Sequence, residues 1–231
     1  FKKMRESKAL AKFPLEEVVK TSRFGIWISM FITWVLTGCI VVFILLMPGF
    51  VGGVLGFSPF ETTYFQMGGL VCIVSSCWLT GRLADKHNPS TLCILFSAGF
   101  AVSSVAFFSL LYTAAPVVSE VVLAYFATCF FAGIMNFCPI FMCDVFPARI
   151  RFSGISFAYN IAYALSGAFT PQLSFALHAY AKTHPDTLGA MGLSAYIVFL
   201  ALVSIGTALA MRRVYKNGGA AVSQMEFRPA P

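Results

Sequence analysis

The chain has 231 residues, of which 58% are apolar and only 11% charged, with 25 Phe and a formal net charge of +7. A soluble domain carries about a quarter charged residues, so this composition excludes an ordinary soluble fold. The excess positive charge does not point to nucleic acid, because the basic residues border apolar segments, where they face anionic lipid headgroups.

Six apolar segments of roughly 19–25 residues are each long enough to cross a ~30 Å hydrocarbon core. They lie at 25–47, 62–80, 92–112, 121–143, 153–177 and 192–211. The expected fold is all-α: a polytopic membrane protein of six transmembrane helices over 25–213, with a linker at 1–24 and a tail at 214–231. Six spans place both ends of the chain on one side. That side receives Lys2, Lys3, Arg5, Lys8, Lys12, Lys20 and Arg23, then Arg82 and Lys86, then Arg149 and Arg151, then Arg212, Arg213, Lys216 and Arg228. Only Lys182 of the sixteen Lys and Arg residues falls opposite. The positive-inside rule then puts both termini in the cytoplasm.

In chain order, residues 1–24 read as a cytoplasmic linker with a short amphipathic helix interrupted by Pro14. Leu15, Val18 and Val19 face the bilayer surface there, and Glu16, Glu17 and Lys20 stay wet. The chain opens on Phe1, so it reads as a piece of a longer protein whose arm is an interior linker. The first span is expected to end near Pro48, followed by a flexible, glycine-rich and in part helical outer turn to Pro59. GRLADKHNPS is a short cytoplasmic turn after the second span, and Pro116 with Glu120 marks an outer loop after the third. The fourth span carries Gly133, Asn136 and Pro139, and its proline frees a backbone carbonyl. DVFPARIRFSG turns the chain into the fifth span. The loop HAYAKTHPDTLGAMG leads to the sixth, and the tail after Arg213 is short and polar.

No Asp, Glu, Lys, Arg or His lies mid-span, so a coupling acid is not expected within these residues. Seven Cys, at 39, 72, 77, 93, 129, 138 and 143, fall within or at the ends of apolar segments. None forms a CxxC pair or sits at ligand spacing from His. They read as membrane-core thiols, with no metal, cofactor or disulfide framework. Neutral polar residues remain as candidates for solute contact. In the fifth span Tyr159, Tyr163, Ser166 and Thr170 share a stripe, and Asn160, Tyr163, Gly167 and Thr170 form an overlapping one. Such groups in lipid need a partner or a wet cavity, and interhelical hydrogen bonding is the competing explanation. In the first span Ser29, Thr33 and Thr37 recur every four residues beside Trp34. Small hydroxyls at that spacing more often pack helices, with Trp34 or Thr37 as solute candidates. Gln66 and Asn136 are further candidates nearer span ends.

Gly81-Arg82-Leu83-Ala84-Asp85-Lys86 resembles the first six positions of the signature loop of the major facilitator superfamily, G-x-L-[AS]-D-[RK]-x-G-R-[RK]. Asn88-Pro89-Ser90 departs from its last three. Asp144-Val-Phe-Pro147-Ala-Arg149-Ile-Arg151-Phe-Ser153-Gly154, continuing to Tyr159-Asn160, is similar to the metabolite–proton symporter family within that superfamily. Gly167-Ala-Phe-Thr-Pro171 and Glu6-Ser7 followed by Pro14 resemble further parts of that family's pattern. Asp144 stands where Glu is common, and Ser166 replaces the first of a glycine pair.

The resemblance implies the C-terminal six-helix half of a twelve-helix carrier in a bacterial inner membrane. Its expected partners are the N-terminal half, membrane lipids, protons and a small organic acid or zwitterion. Tyr159, Asn160, Tyr163 and Thr170 would line the cavity. Gly81, Asp85, Asp144, Arg149 and Arg151 would serve the inner gate, with the arginines paired to Asp144 or to the other half. The rival readings are a membrane scaffold or sensor, an inert fragment, and a half-sized carrier acting as a homodimer. An enzyme is least expected, because no nucleophile–base pair or phosphate loop is visible.

Overall fold

The computed structural model describes residues 14–113, 115–184 and 188–216. The linker before Pro14, part of the loop before the last helix, and the tail after Lys216 lie outside the described residues, as does the Glu6-Ser7 match. Every regular element among the described residues is helical. They are α1 (Pro14–Thr21), α2 (Arg23–Cys39), a π-helical stretch (Ile40–Leu46), α3 (Met47–Leu55), α4 (Pro59–Ala84), α5 (Pro89–Leu111), α6 (Val118–Phe131), a 3-10 stretch (Ala132–Asn136), α7 (Phe137–Val145), α8 (Arg151–Thr183) and α9 (Leu188–Lys216).

Among the described residues, five helical runs are long and apolar enough to cross a membrane: Arg23–Leu55, Pro59–Ala84, Pro89–Leu111, Val118–Val145 and Met191–Lys216. α8, expected as the fifth span, is less apolar than these, but its 33 residues extend about 50 Å. It runs parallel beside α2 and α3, starting at the same end of the bundle. Gly154 meets Phe146, against which Gly25 also packs, at the end bearing Arg23 and Arg151. Midway, Ser166 Oγ donates to the Trp34 carbonyl at 3.4 Å. At the far end Phe50 packs against Phe175 and His178. The buried side of α8 is a row of small residues, Gly154, Ala158, Ala162, Ser166, Thr170 and Ser174, which lets it lie close to its neighbours.

The core between the other helices is aromatic. Phe43, Phe100, Phe107 and Phe108 cluster with centroids 4.9–6.4 Å apart, and Phe65 stacks on Tyr125 at 4.0 Å. Helix starts follow local chemistry. Ser58 and Glu61 form a reciprocal capping box with Pro59 at the first helical position of α4. Asn88 Oδ1 accepts from Ser90 N at 2.9 Å, and Pro89 opens α5. Asn88-Pro89-Ser90, the departure from the signature loop, is thus a helix start.

Two expectations fail here. The first span does not end near Pro48, and the glycine-rich segment is not a flexible turn, because the chain stays helical to Leu55 and turns at Gly56 in the left-handed region (φ 68°). Pro48 has no N–H, so the carbonyl of Ile44 four residues earlier loses its partner. The helix widens instead of stopping: the Met47 N–H donates to Val42 O, five residues back. Gln66 Nε2 then donates to Ile44 O at 2.6 Å, and Tyr125 Oη to Phe43 O at 3.0 Å. Secondly, Val18 is fully buried against Phe146 and Ile150 instead of facing lipid; the residues before Pro14, on which the expected interruption turns, lie outside the described residues.

Replacing Gln66 with Leu leaves the Ile44 carbonyl unpaired, which costs about 1–3 kcal/mol. Thermal unfolding of the purified protein in detergent should show a lower midpoint for Gln66→Leu, with Gln66→Glu failing to restore it because an ionised carboxylate cannot donate.

Candidate functional site

α8 separates the predicted polar stripe into two sides. Ser166 and Thr170 are fully buried, whereas Asn160 and Tyr163 are exposed and Tyr159 is half-buried. Tyr159 and Tyr163, one turn apart, stack with centroids 5.5 Å apart at 22°. Asn160 is exposed, and its Nδ2 donates back to Ser156 O at 2.7 Å within the helix. The exposed surface of α8 therefore has a polar flank, Asn160 and Tyr163, and an apolar flank, Ile161, Leu165 and Phe169.

The buried side closes a polar ring across three helices. Thr170 Oγ1 and Tyr196 Oη of α9 are 2.7 Å apart, Trp34 Nε1 of α2 donates to Tyr196 Oη at 3.4 Å, and Ser166 Oγ lies 3.4 Å from Thr170 Oγ1. Thr170 and Trp34 are thus engaged with protein. Thr37 Oγ1 donates to Thr33 O at 2.9 Å within its own helix and is buried. Thr33 Oγ1 lies 3.8 Å from Cys138 Sγ. Gln66 holds the Ile44 carbonyl, and Asn136 Nδ2 donates to Cys77 O at 3.2 Å and to Thr80 Oγ1 at 3.3 Å. Of the eight solute candidates, Tyr159, Asn160 and Tyr163 form the group that remains open on one surface.

The basic end is arranged differently from expectation. Arg149 forms its ion pair with Glu17 of α1, and not with Asp144. Asp144 accepts from Tyr215 Oη of α9 at 2.5 Å. Arg151 Nε donates to the Phe146 carbonyl at 3.1 Å. Asp85 is exposed, and its backbone N–H closes α4 by donating to Gly81 O at 3.2 Å. Gly81 lies beside Asn136, whose Nδ2 would sit 3.4 Å from a Cβ placed there. Arg82 lies over the Trp78 ring at 4.0 Å from its centroid, a cation–π contact. Among the described residues, no group of three His, Cys, Asp or Glu side chains is placed to hold a metal ion.

A family model described as Major Facilitator Superfamily matches residues 1–171. The chain belongs to the major facilitator superfamily. No curated protein and no solved structure matches it. This major facilitator is a multi-pass membrane protein, and the superfamily's members are transporters that carry small solutes across membranes.

Two residues of this major facilitator's polar framework were not singled out from sequence. Tyr196 joins the ring because α9 passes within reach of both Thr170 and Trp34, and a lone Tyr in an apolar run gives no sign of that. Glu17 pairs across 132 positions of chain, and only its place on a linker helix hinted at a role. The ring predicts a modest structural effect. Thr170→Val keeps the side-chain volume and removes the hydroxyl, so it should cost about 0.6 kcal/mol, the average for hydrogen bonds between membrane helices, and at most ~1.7 kcal/mol. Tyr196→Phe should cost a similar amount, and the double variant less than the sum, read from unfolding midpoints in detergent.

Proposed function

We propose that the chain is the C-terminal six-helix half of a twelve-helix secondary carrier of the metabolite–proton symporter type. It moves a small organic acid or a zwitterionic osmolyte with protons across a bacterial inner membrane, with both termini in the cytoplasm. The solute sits between the two halves, which rock against each other to give alternating access.

The observation that carries this reading is the exposed polar flank of α8. A side-chain amide and a phenol at membrane depth are costly in hydrocarbon and need water or a polar partner. Asn160 and Tyr163, with Tyr159 stacked behind, supply a neutral hydrogen-bonding wall. With no Asp, Glu, Lys, Arg or His mid-span among the described residues, the coupling acid and any cation for an anionic solute come from the other half. Thr170, Trp34, Thr37, Gln66 and Asn136 hold the helices around this wall and set its position. Gly81, Asp85, Asp144, Arg149 and Arg151 stand at the cytoplasmic mouth, where charge pairs between halves favour one state over the other.

Uptake by the full-length carrier in membrane vesicles under an imposed inward proton gradient tests the reading, with labelled organic acids and betaines as probes. Asn160→Ala and Tyr163→Ala should each reduce uptake about tenfold, the equivalent of ~1.4 kcal/mol of lost solute contact, with unchanged membrane insertion. Unchanged uptake in both variants would overturn the cavity assignment, and no proton-driven uptake of any probe by the parent protein would overturn the symport.

A further inference from the structure

α1 is an eight-residue amphipathic helix just before the first span, of the kind that ordinarily lies on the bilayer surface. Its apolar residues are not treated alike. Leu15 and Val19 are 50% and 43% exposed, but Val18 is 0% exposed. Val18 belongs to a small apolar cluster with Phe146 and Ile150, separate from the main core. Next to it, Glu17 forms its ion pair with Arg149. The apolar contact and the ion pair join α1 to the same short turn, between α7 and α8.

Phe146 is the centre of that turn. Its ring is fully buried and lies between two glycines of different helices. A Cβ on Gly25 of α2 would be 2.9 Å from the ring, and a Cβ on Gly154 of α8 2.6 Å. No other residue type fits at either place without moving the ring. The Phe146 carbonyl is held by Arg151 Nε. One side chain thereby gathers the ends of α2, α7 and α8, and Val18 shares its small buried cluster. The connection between α1 and α2 is short and nearly helical, since Ser22 N donates to Val18 O at 2.9 Å and Ile26 N to Ser22 O at 3.0 Å.

We infer that α1 is a strap closed over the α7–α8 turn, with Glu17 and Val18 as its positioning residues. The strap keeps Phe146 seated between Gly25 and Gly154. Movement of the linker is thereby passed directly to the inner ends of α2 and α8. An ion pair with side chains 50% and 22% exposed is weak by itself, so the closed state depends on the pair and the Val18 contact together. A strap of this strength opens reversibly and does not lock the end permanently. The inference does not depend on which solute the carrier takes.

Thiol labelling in the full-length protein tests the strap. Cys143 is exposed, so it is first replaced with Ser; the other six thiols are buried or half-buried. Val18→Cys and, as an exposed control, Lys20→Cys are then labelled with a maleimide in permeabilised membranes, so that orientation plays no part. Labelling of a covered site follows its local opening. The strap predicts that Val18→Cys reacts at least about tenfold more slowly than Lys20→Cys. Adding Glu17→Arg should remove most of that protection, and the charge swap Glu17→Arg with Arg149→Glu should bring it back. Equal rates for Val18→Cys and Lys20→Cys would overturn the strap. So would protection that Glu17→Arg leaves intact, or protection that the swap fails to restore.

Discussion

A backbone carbonyl that loses its helical partner inside a bilayer has no water to turn to, and this requirement shapes the whole bundle. Pro48 creates that situation at the far end of the first span. The chain responds with a π-helical stretch, and two side chains from other helices, Gln66 and Tyr125, take up the carbonyls of Ile44 and Phe43. These bonds tie α4 and α6 to the first span. The aromatic cluster around Phe43 then fills the space that the bonds fix in place. A second proline, Pro139, follows a 3-10 stretch, and there Asn136 reaches the carbonyl of Cys77 on α4. Polar side chains near both prolines thus act as bolts between helices.

α8 meets the same requirement by another route. Its buried row of Gly, Ala, Ser and Thr brings it close to its neighbours, and the hydroxyls of Ser166 and Thr170 bond across to Trp34 and Tyr196. Packing consumes one side of the helix and leaves the opposite polar flank unneeded for stability. A helix less apolar than its five neighbours is tolerated because its polarity is divided between these two tasks. The division gives the transport reading its physical basis: the side chains left over after packing are the ones available to a solute.

Helix positions and the sidedness of charge were legible in the sequence, because both are set by long apolar runs and by where Lys and Arg stop them. The failures share a cause. Pro48 and the glycines after it have local preferences that say turn, and partners from distant helices overrode them. Val18 reads as lipid-facing by periodicity, and a pocket at Phe146, 128 positions away, receives it. The resemblance pairs Arg149 with Asp144 or with the other half; here Arg149 meets Glu17, and Asp144 accepts from Tyr215, both partners from distant elements. Periodicity grouped Thr170 with Tyr163, and only the positions of α2 and α9 divide them. Tyr159, Asn160 and Tyr163 stand out in the sequence because three polar side chains within two turns of an apolar helix are hard to explain by packing alone, and of these Asn160 and Tyr163 are exposed.

The central claim is that the polar flank of α8 faces water within the membrane. Cysteines placed singly along α8 of the full-length carrier and exposed to a hydrophilic methanethiosulfonate reagent test it most directly. The account predicts rapid reaction at 160 and 163, and protection at 161, 165 and 169 on the apolar flank. Equal protection on both flanks would contradict it, because Asn160 and Tyr163 would then be buried in protein or lipid and could not line a solute pathway.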